Sequence, residues 1–233
     1  MPERANQMTP QAPSPGSDWR NFVDGPLYLA SPPPWFDDPA YSLILAEPGL
    51  RDSLGGPVSP ALRMACELVR ALTEYDVVAH LRNQQHAQGL CLGFGSNLLE
   101  PYDLLRALPL GCVHACEWIG EHLVEAATML QSLSADDPSL VRRIRLHQAT
   151  IAALSFLNDA TIQVIYTANM FTWEVPMQQK TFDLAIEEMM RVMTPGGVIF
   201  SKGSAGELER RLTPHGRMLL PHQPITVFQK PEH

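Results

Sequence analysis

A helix, a turn and a strand follow one another in residues 182–200, which read FDLAIEEMMRVMTPGGVIF. The first half predicts a helix over residues 182–193, because apolar side chains recur there at helical spacing. The side chains expected to face inward are Ile186, Met189, Met190 and Met193. Proline and paired glycines then predict a turn that stops the helix and leads into a buried strand at residues 198–201.

The same alternation of amphipathic helices and short apolar runs extends outward from this stretch. The predicted strands are residues 89–92, 112–116, 141–146, 161–167, 198–201 and 225–228. The predicted helices are residues 59–80, 102–108, 121–133, 182–193 and 205–212. On the apolar face of the first helix we expect Leu62, Ala65, Leu68, Val69, Leu72 and Tyr75, and on that of the third Leu123, Val124, Ala127 and Leu130. Strands that alternate with helices indicate an α/β protein, with a doubly wound, mostly parallel sheet.

Proline is concentrated near the amino terminus. Eight of the 21 prolines lie in residues 1–34, and proline removes a backbone donor and fixes φ, so this part does not form regular structure in a core. We therefore predict a disordered tail at residues 1–18, an N-terminal arm with a helical cap at residues 19–84, and the α/β domain at residues 85–233. The arm is expected to wrap the domain or, alternatively, to form a lid over a ligand site.

Charge and hydropathy exclude several classes of protein. The 233 residues carry a formal net charge of −8, which argues against a nucleic-acid partner, since phosphates attract surfaces rich in Lys and Arg. No apolar run approaches the ~20 residues needed to span a bilayer, and the amino terminus lacks the pattern of a signal peptide. The four cysteines are irregularly spaced, unlike a disulfide framework. These features predict a cytoplasmic protein without a membrane partner, and they leave the oligomeric state open.

Ligands of an open parallel sheet bind beyond the carboxyl ends of its strands. After the first predicted strand, Gly93 and Gly95 allow a tight turn and a close approach of a ligand to the backbone. After the second, Glu117 can accept hydrogen bonds from both hydroxyls of a ribose, or it can instead cap the helix that follows. A dinucleotide-binding fingerprint requires a further glycine where Leu98 stands, which disfavours an oxidoreductase.

The loops after the later strands carry the other candidate residues. Gln148 can both donate to and accept from the edge of an adenine ring. Asn169 and Trp173 follow the fourth strand and are expected to face the reacting group. The candidates for a general base are His147, His80, His86 and Glu174, although a lone histidine is more often structural. One further motif places three possible metal ligands on one face of a strand: Cys112, His114 and Cys116. No second ligand pair stands at the spacing of a zinc site, so no metal is predicted.

Residues 187–199, EEMMRVMTPGGVI, resemble the corresponding helix, turn and strand of class I S-adenosylmethionine-dependent methyltransferases. The glycine turn, Glu117, residues 158–165 and residues 225–231 occur in the order and spacing of that family, so the resemblance covers about residues 85–231. It implies a Rossmann-like sheet of seven strands with an antiparallel last strand, and S-adenosylmethionine as cofactor. The residues it assigns to the cofactor are Gly93, Gly95 and Ser96 at the methionine part, Glu117 at the ribose, Trp118 or Ile119 against adenine, and Gln148 and Ala149 at the adenine edge.

This chain departs from the family pattern at three positions. Cys91 stands where the family usually has an acidic residue, Asn97 replaces the third glycine, and Gln148 replaces an aspartate. The expected function is transfer of a methyl group to a small-molecule acceptor, with catalytic candidates Asn169, Trp173 and His147. The departure at Cys91 motivates an alternative, a catalytically inactive methyltransferase-like protein that binds or assembles with a partner.

Overall fold

The computed structural model describes residues 27–28, 58–95, 99–135, 137–171, 177–203, 206–221 and 225–232, without the side chains of residues 27, 28 and 58–60. The predicted tail and the part of the predicted arm before residue 58 therefore lie outside the described residues, except for residues 27–28. These two residues form β1 (Leu27–Tyr28), which pairs antiparallel with β6 (Met177–Gln178).

The main sheet has seven strands in the order β4-β3-β2-β5-β7-β9-β8. Their bounds are β2 (Gln88–Leu92), β3 (Cys112–Glu117), β4 (Ile144–Gln148), β5 (Ile162–Ala168), β7 (Met193–Lys202), β8 (Arg217–Leu220) and β9 (Ile225–Gln229). The helices are α1 (Val58–Thr73), α2 (Val77–Arg82), α3 (Leu99–Ala107), α4 (Gly120–Leu133), α5 (Pro138–Val141), α6 (Gln179–Val192) and α7 (Gly206–Leu212), and a 3-10 turn spans Thr213–His215.

The strand directions confirm the predicted fold class. The strands β4, β3, β2, β5 and β7 pair in parallel, whereas β9 is antiparallel to both of its neighbours. The chain adds β3 and β4 on one side of β2 and later adds β5 and β7 on its other side. The order of the strands thus reverses between β2 and β5, and this reversal opens a crevice at the carboxyl end of β2.

Each face of the sheet is covered by its own apolar layer. On one face, α1 and α3 pack on alternate strand residues, with Val69, Leu104, Val164 and Phe200 fully buried among them. On the other face, α6 and α7 bury Met189, Leu208, Ile165 and Phe228. Because successive residues of a strand point to opposite faces, strands covered on both faces are apolar throughout.

The predicted helix over residues 59–80 is wrong, because it is two helices. α1 ends at Thr73, Glu74 has a φ of 63°, and Asp76 begins α2 by accepting a hydrogen bond from the Ala79 N–H at 2.9 Å. The predicted inner faces are correct in part. Leu62, Ala65 and Val69 of α1 are buried as predicted, whereas Leu68 is 38% exposed and Leu72 is 68% exposed. On α4, Val124 is 68% exposed, and the buried residue is Ala126, which the pattern did not select.

Three other boundaries differ from the prediction. Residues 138–141 form α5, which Asp137 caps by accepting the Leu140 N–H at 3.1 Å, so β4 begins only at Ile144. The predicted turn at residues 195–197 lies within β7, where the register with β5 shifts and Gly196 has a φ of 73°, as in a bulge. The short strand β8 had no alternating pattern long enough to predict it.

Arg191 fastens the loop before β5 to α6. Its guanidinium donates to both oxygens of Glu188, at 2.7 and 2.8 Å, and to the carbonyl oxygens of Leu154 and Leu157 at 3.0 and 3.1 Å. The Glu188 carboxylate in turn accepts the Leu154 N–H at 2.7 Å. These bonds hold the pKa of Glu188 below its usual value, with the side-chain bond to Arg191 as the largest cause. The planar fork of arginine suits such a set of acceptors.

Within the ranges described, no helix has both the length and the apolar character needed to cross a bilayer.

Candidate functional site

The glycine turn lies at the reversal of the strand order. Gly93 and Gly95 directly follow β2 with φ values of 64° and 58°, a region that side chains rarely adopt. The Gly93 N–H donates to the Cys116 carbonyl oxygen at 2.9 Å, which fixes the turn against the end of β3. The turn therefore presents bare backbone at the carboxyl edge of the sheet, where the sequence predicted it.

Glu117 ties this turn to the next loop. Its Oε2 accepts the Gly95 N–H at 2.9 Å, and its Oε1 accepts the N–H groups of Trp118 and Ile119 at 2.9 and 3.1 Å. The side chain is only 6% exposed, so these bonds stabilise a buried carboxylate at the start of α4. Oε1 thus holds the two N–H groups that precede α4, whereas the N-cap residue of that helix, Ile119, has no side-chain cap bond. Oε2 accepts one bond from the described residues and retains an acceptor position, since a carboxylate oxygen can accept two.

The predicted adenine contacts lie beside Glu117. The Gln148 side chain donates to the Trp118 carbonyl oxygen at 3.3 Å, and the Ala149 N–H donates to the Glu117 carbonyl oxygen at 3.0 Å. The strands β2, β3 and β4 therefore bring six of the predicted residues together at one edge of the sheet: Gly93, Gly95, Glu117, Trp118, Gln148 and Ala149. Their roles toward a cofactor stay predictions. Ser96 lies outside the described residues.

His122 is a neighbour of Glu117 that the sequence did not single out. It lies on the first turn of α4, with its Nδ1 3.9 Å from Glu117 Oε1. This nitrogen is buried and has no hydrogen-bond partner among the described residues. α4 begins three residues after Glu117, at Gly120, so the first turn of the helix carries His122 near the carboxylate.

Met170 covers the glycine turn. A Cβ placed on Gly93 would overlap the Met170 methyl group and lie 3.0 Å from its sulfur, so the thioether lies against the bare backbone of the turn. Met170 follows β5, the strand beside β2, and is itself half-buried. The space above Gly93 thus accommodates a methionine side chain.

We expect Met170→Ala to tighten the binding of S-adenosylhomocysteine about fivefold, because a ligand at Gly93 would no longer displace the thioether. Calorimetric titration of the full chain measures this, and Met129→Ala on the exposed face of α4 is the matched control. Weaker binding by Met170→Ala would contradict the prediction and identify Met170 as a wall of the pocket.

The predicted catalytic residues do not form one group. Asn169 follows β5 at the same edge of the sheet, with a φ of 52° and its N–H donating to the Lys202 carbonyl oxygen at 2.9 Å. His147 instead faces the side of the sheet covered by Phe156, whose ring stacks on the imidazole at a centroid distance of 4.0 Å. Trp173 lies outside the described residues. Of the two described candidates, Asn169 follows its strand near the glycine turn, whereas the His147 side chain packs against Phe156.

His147 belongs to a chain of polar side chains across three strands. The His114 ring bonds through Nδ1 to His147 Nε2 at 2.9 Å and through Nε2 to Gln88 Oε1 at 3.1 Å. Because Gln88 Oε1 only accepts, His114 Nε2 carries the hydrogen and Nδ1 accepts from His147. Burial, followed by the charges of His147 and Arg145, lowers the pKa of His114 to about 4. Burial and Arg145 also lower the pKa of His147.

We expect the fold to lose about 2 kcal/mol of stability between pH 7 and pH 5 through His114. The unfolded chain takes up a proton near pH 6.5, whereas the folded chain resists protonation down to about pH 4, so this stability is present above pH 6.5 and is lost below it. Urea unfolding of the protein and of His114→Asn at both pH values measures the difference. Exposed His215→Asn is the control, and an unchanged slope in His114→Asn would contradict the prediction.

Three further groups at this edge escaped the sequence reasoning: Glu100, Tyr166 and Lys202. Burial raises the pKa of Glu100 to about 8, although Lys202 draws it down. Glu100 lies in the first turn of α3, and Tyr166 and Lys202 lie on β5 and β7. Cys91 is fully buried beside them, and burial, reinforced by the charge of Glu100, raises the pKa of its thiol. Cys91 therefore remains a neutral thiol at this position.

Across the described ranges, no group of three or more His, Cys, Asp and Glu side chains is arranged to hold a metal ion. The cysteines at positions 66, 91, 112 and 116 are free thiols.

A sheet of seven strands, with β9 antiparallel to both neighbours, is the architecture that the sequence resemblance implied. The chain has the class I methyltransferase fold. No protein-family profile matches the sequence, and no curated protein matches it. Similar solved structures share only this fold.

A SAM-dependent methyltransferase from Aquifex aeolicus is 16% identical over 74% of this chain and 97% of its own, with a TM-score of 0.47. A putative S-adenosyl-L-methionine-dependent methyltransferase from Methanococcus maripaludis is 14% identical over 76% of this chain and 90% of its own, with a TM-score of 0.48. The [4+2]-cyclase SpnF is 17% identical over 60% of this chain, which spans 43% of the cyclase, with a TM-score of 0.39. The fold assignment rests on strand order and direction, since likenesses of this size carry no information on activity.

Proposed function

We propose that this chain binds S-adenosylmethionine at the carboxyl edge of its sheet and transfers the methyl group to a small-molecule acceptor. The observation that carries the proposal is the pair of Glu117 and the glycine turn, joined by the bond from the Gly95 N–H to Glu117 Oε2 at 2.9 Å. A diol binder needs a carboxylate fixed at the end of the strand next to the turn, and Glu117 is fixed there by three backbone donors.

The residues at this edge fit the cofactor in three respects. Glu117 Oε2 retains an acceptor position for a ribose hydroxyl. Gly93 leaves space that a thioether side chain already occupies, so the thioether part of a ligand has room there once Met170 moves aside. Gln148 lies at the exposed end of β4, where its amide is available to the edge of a base.

When bound, the cofactor supplies a methyl group that is already activated by its sulfonium. The chain's own residues then have to bind, orient and exclude water, and they need not form a covalent intermediate. Glu117 and Gln148 would orient the nucleoside. Asn169, whose position at the end of β5 is fixed by its backbone bond to Lys202, would shape the acceptor side. An acceptor that loses a proton also requires a base.

The acceptor class is proposed from charge. A formal net charge of −8 disfavours a polyanionic acceptor such as RNA and favours a small neutral or cationic molecule. A catalytically inactive binding protein is the second candidate, and the neutral Cys91 thiol at a position that is usually acidic favours it.

Two measurements test these proposals. Calorimetric titration of the full chain with S-adenosylhomocysteine is expected to give a micromolar Kd, whereas NAD is expected not to bind. Incubation of a cell extract with methyl-labelled S-adenosylmethionine and the protein is expected to label the small-molecule fraction. Label in the RNA or protein fraction would overturn the acceptor class, binding without any transfer would favour the inactive protein, and no binding would overturn the proposed cofactor.

A further inference from the structure

A buried polar cluster lies beside the glycine turn, on the face of the sheet that α3 covers. Cys91 on β2 and Tyr166 on β5 are directly paired neighbours in the sheet, and both point toward this helix. From α3 come Glu100 and Asp103, which lie one turn apart. Lys202 ends β7 on the same face. The cluster thus contains two carboxylates, one ammonium group, a phenol and a thiol. It lies level with Cys91, two residues before Gly93 in the chain.

The buried oxygens of this cluster without a hydrogen-bond partner among the described residues include the Tyr166 hydroxyl and Glu100 Oε2. Tyr166 is 0% exposed, so its hydroxyl has no access to bulk water. An unsatisfied buried oxygen destabilises the fold, and native structures contain few of them. Two in one cluster indicate a place that a polar group of a ligand completes.

The charges of the cluster favour a cation there. Burial raises the pKa of the Cys91 thiol and of the Tyr166 phenol, and the charge of Glu100 adds to both, with a further contribution from Asp103 at Tyr166, so both groups stay neutral. Burial raises the pKa of the Glu100 carboxyl to about 8. The charge of Lys202 lowers this pKa, but by less than burial raises it. A second positive charge would be stabilised by Glu100 and would drive off its proton.

We propose that Glu100 and Tyr166 form a subsite for a protonated primary amine. An ammonium group has three donors and no acceptor, so it can donate to Glu100 Oε2 and to the Tyr166 hydroxyl together. The subsite rests on the proposed function only for the source of the amine. This source is either the amino-acid end of the cofactor, bound against the glycine turn, or an amine acceptor.

Calorimetry of the full chain with two probes distinguishes these sources. S-adenosylhomocysteine carries the amino-acid end, whereas 5′-methylthioadenosine lacks it. If the amine is that of the cofactor, Glu100→Gln weakens the binding of S-adenosylhomocysteine at least tenfold and leaves 5′-methylthioadenosine within twofold. Titration at pH 7 in buffers of different ionisation enthalpy then shows that binding releases most of a proton from the unmodified protein and none from Glu100→Gln.

A third probe, n-propylammonium chloride, tests the acceptor as source. If the amine belongs to an acceptor, this salt raises the Tm of the unmodified protein and not that of Glu100→Gln, while both nucleoside probes bind the variant normally. The inference is overturned if Glu100→Gln leaves all three responses unchanged, since water then fills the cluster. It is also overturned if the variant weakens both nucleoside probes equally.

The controls separate this inference from misfolding and from failure of the proposed function. Glu121→Gln, on the exposed surface of α4, is expected to change no response. Tyr166→Phe, which keeps the buried ring, is expected to reproduce the effect of Glu100→Gln in part, even if Glu100→Gln itself folds poorly. If the unmodified protein binds neither nucleoside, the proposed function fails, and the n-propylammonium measurement then decides the subsite alone.

Discussion

Glu117→Ala is expected to abolish measurable binding of S-adenosylhomocysteine and to lower the free energy of unfolding by about 2 kcal/mol. The carboxylate accepts three backbone N–H groups, from Gly95, Trp118 and Ile119, and alanine leaves all three donors without it. The loss of the bond to Gly95 also releases the glycine turn from the start of α4. Calorimetric titration and urea unfolding measure the two effects separately.

Glu117→Gln separates ligand binding from the bonds that Glu117 accepts from the Trp118 and Ile119 N–H groups. Its amide oxygen can still accept the N–H groups of Trp118 and Ile119, whereas its amide nitrogen would face the Gly95 N–H and offer no acceptor to a hydroxyl. We expect this variant to recover most of the stability and none of the binding. Glu125→Ala, an exposed position on α4, is the control for both measurements. If Glu117→Ala binds S-adenosylhomocysteine within threefold of the unmodified protein, the prediction is contradicted. The role of Glu117 would then be to hold the backbone N–H groups of the two loops.

Gly216→Ala is expected to lower the free energy of unfolding by about 3 kcal/mol, or the Tm by about 6–12 °C. Gly216 precedes β8, and a Cβ there would overlap the backbone carbonyl oxygen of Gln229 on β9 and lie 2.7 Å from the Phe228 ring. A backbone oxygen in a strand ladder cannot move aside as a flexible side chain can. The pairing of β8 with β9 would therefore have to separate locally, at the edge of the sheet.

The control for this prediction is another glycine close by in the chain. Gly206 begins α7, and a Cβ there would meet nothing within 4 Å. Gly206→Ala should therefore stabilise the protein by about 0.5 kcal/mol, because alanine loses less conformational entropy on entering a helix. Thermal unfolding of the two variants should shift in opposite directions. A Tm of Gly216→Ala equal to that of the unmodified protein would show that β8 does not pack closely on β9.

Sequence reasoning predicted the parallel core of the sheet because these strands are buried on both faces. Residues 89–92 are apolar and residues 161–167 are mostly so. The structure starts β2 one residue earlier than predicted, with the predicted end, and shifts β5 by one residue at both ends. The short edge strand β8 has no such pattern. For α1 the helical period was correct and the predicted face was too wide. Leu62 and Val69 are buried as predicted, whereas Leu68 and Leu72 are exposed, because only packing against α3 and β8 decides which apolar residues of the helix are buried.

The candidate site divides in the same way. Gly93, Gly95 and Glu117 could be predicted because each directly follows a strand, and parallel strands end at a common edge. The amine subsite could not be predicted. Glu100 is one of several acidic residues on helices, and Tyr166 lies within a buried strand, where an aromatic residue is expected to pack in the core. Nothing in their spacing shows that α3 brings the carboxylate onto the face of β5.

The sequence by itself determined what is local and periodic: the alternation of strands and helices, the glycine turn, and the carboxylate at the end of β3. The tertiary structure decided which groups share an environment. Met170 and Gly93, which lie in contact, are 77 positions apart along the chain, and Glu100 and Tyr166 are 66 positions apart. Contacts of this kind depend on which helix covers which face of the sheet, and burial then sets the pKa of Glu100 and the cost of each unpaired oxygen.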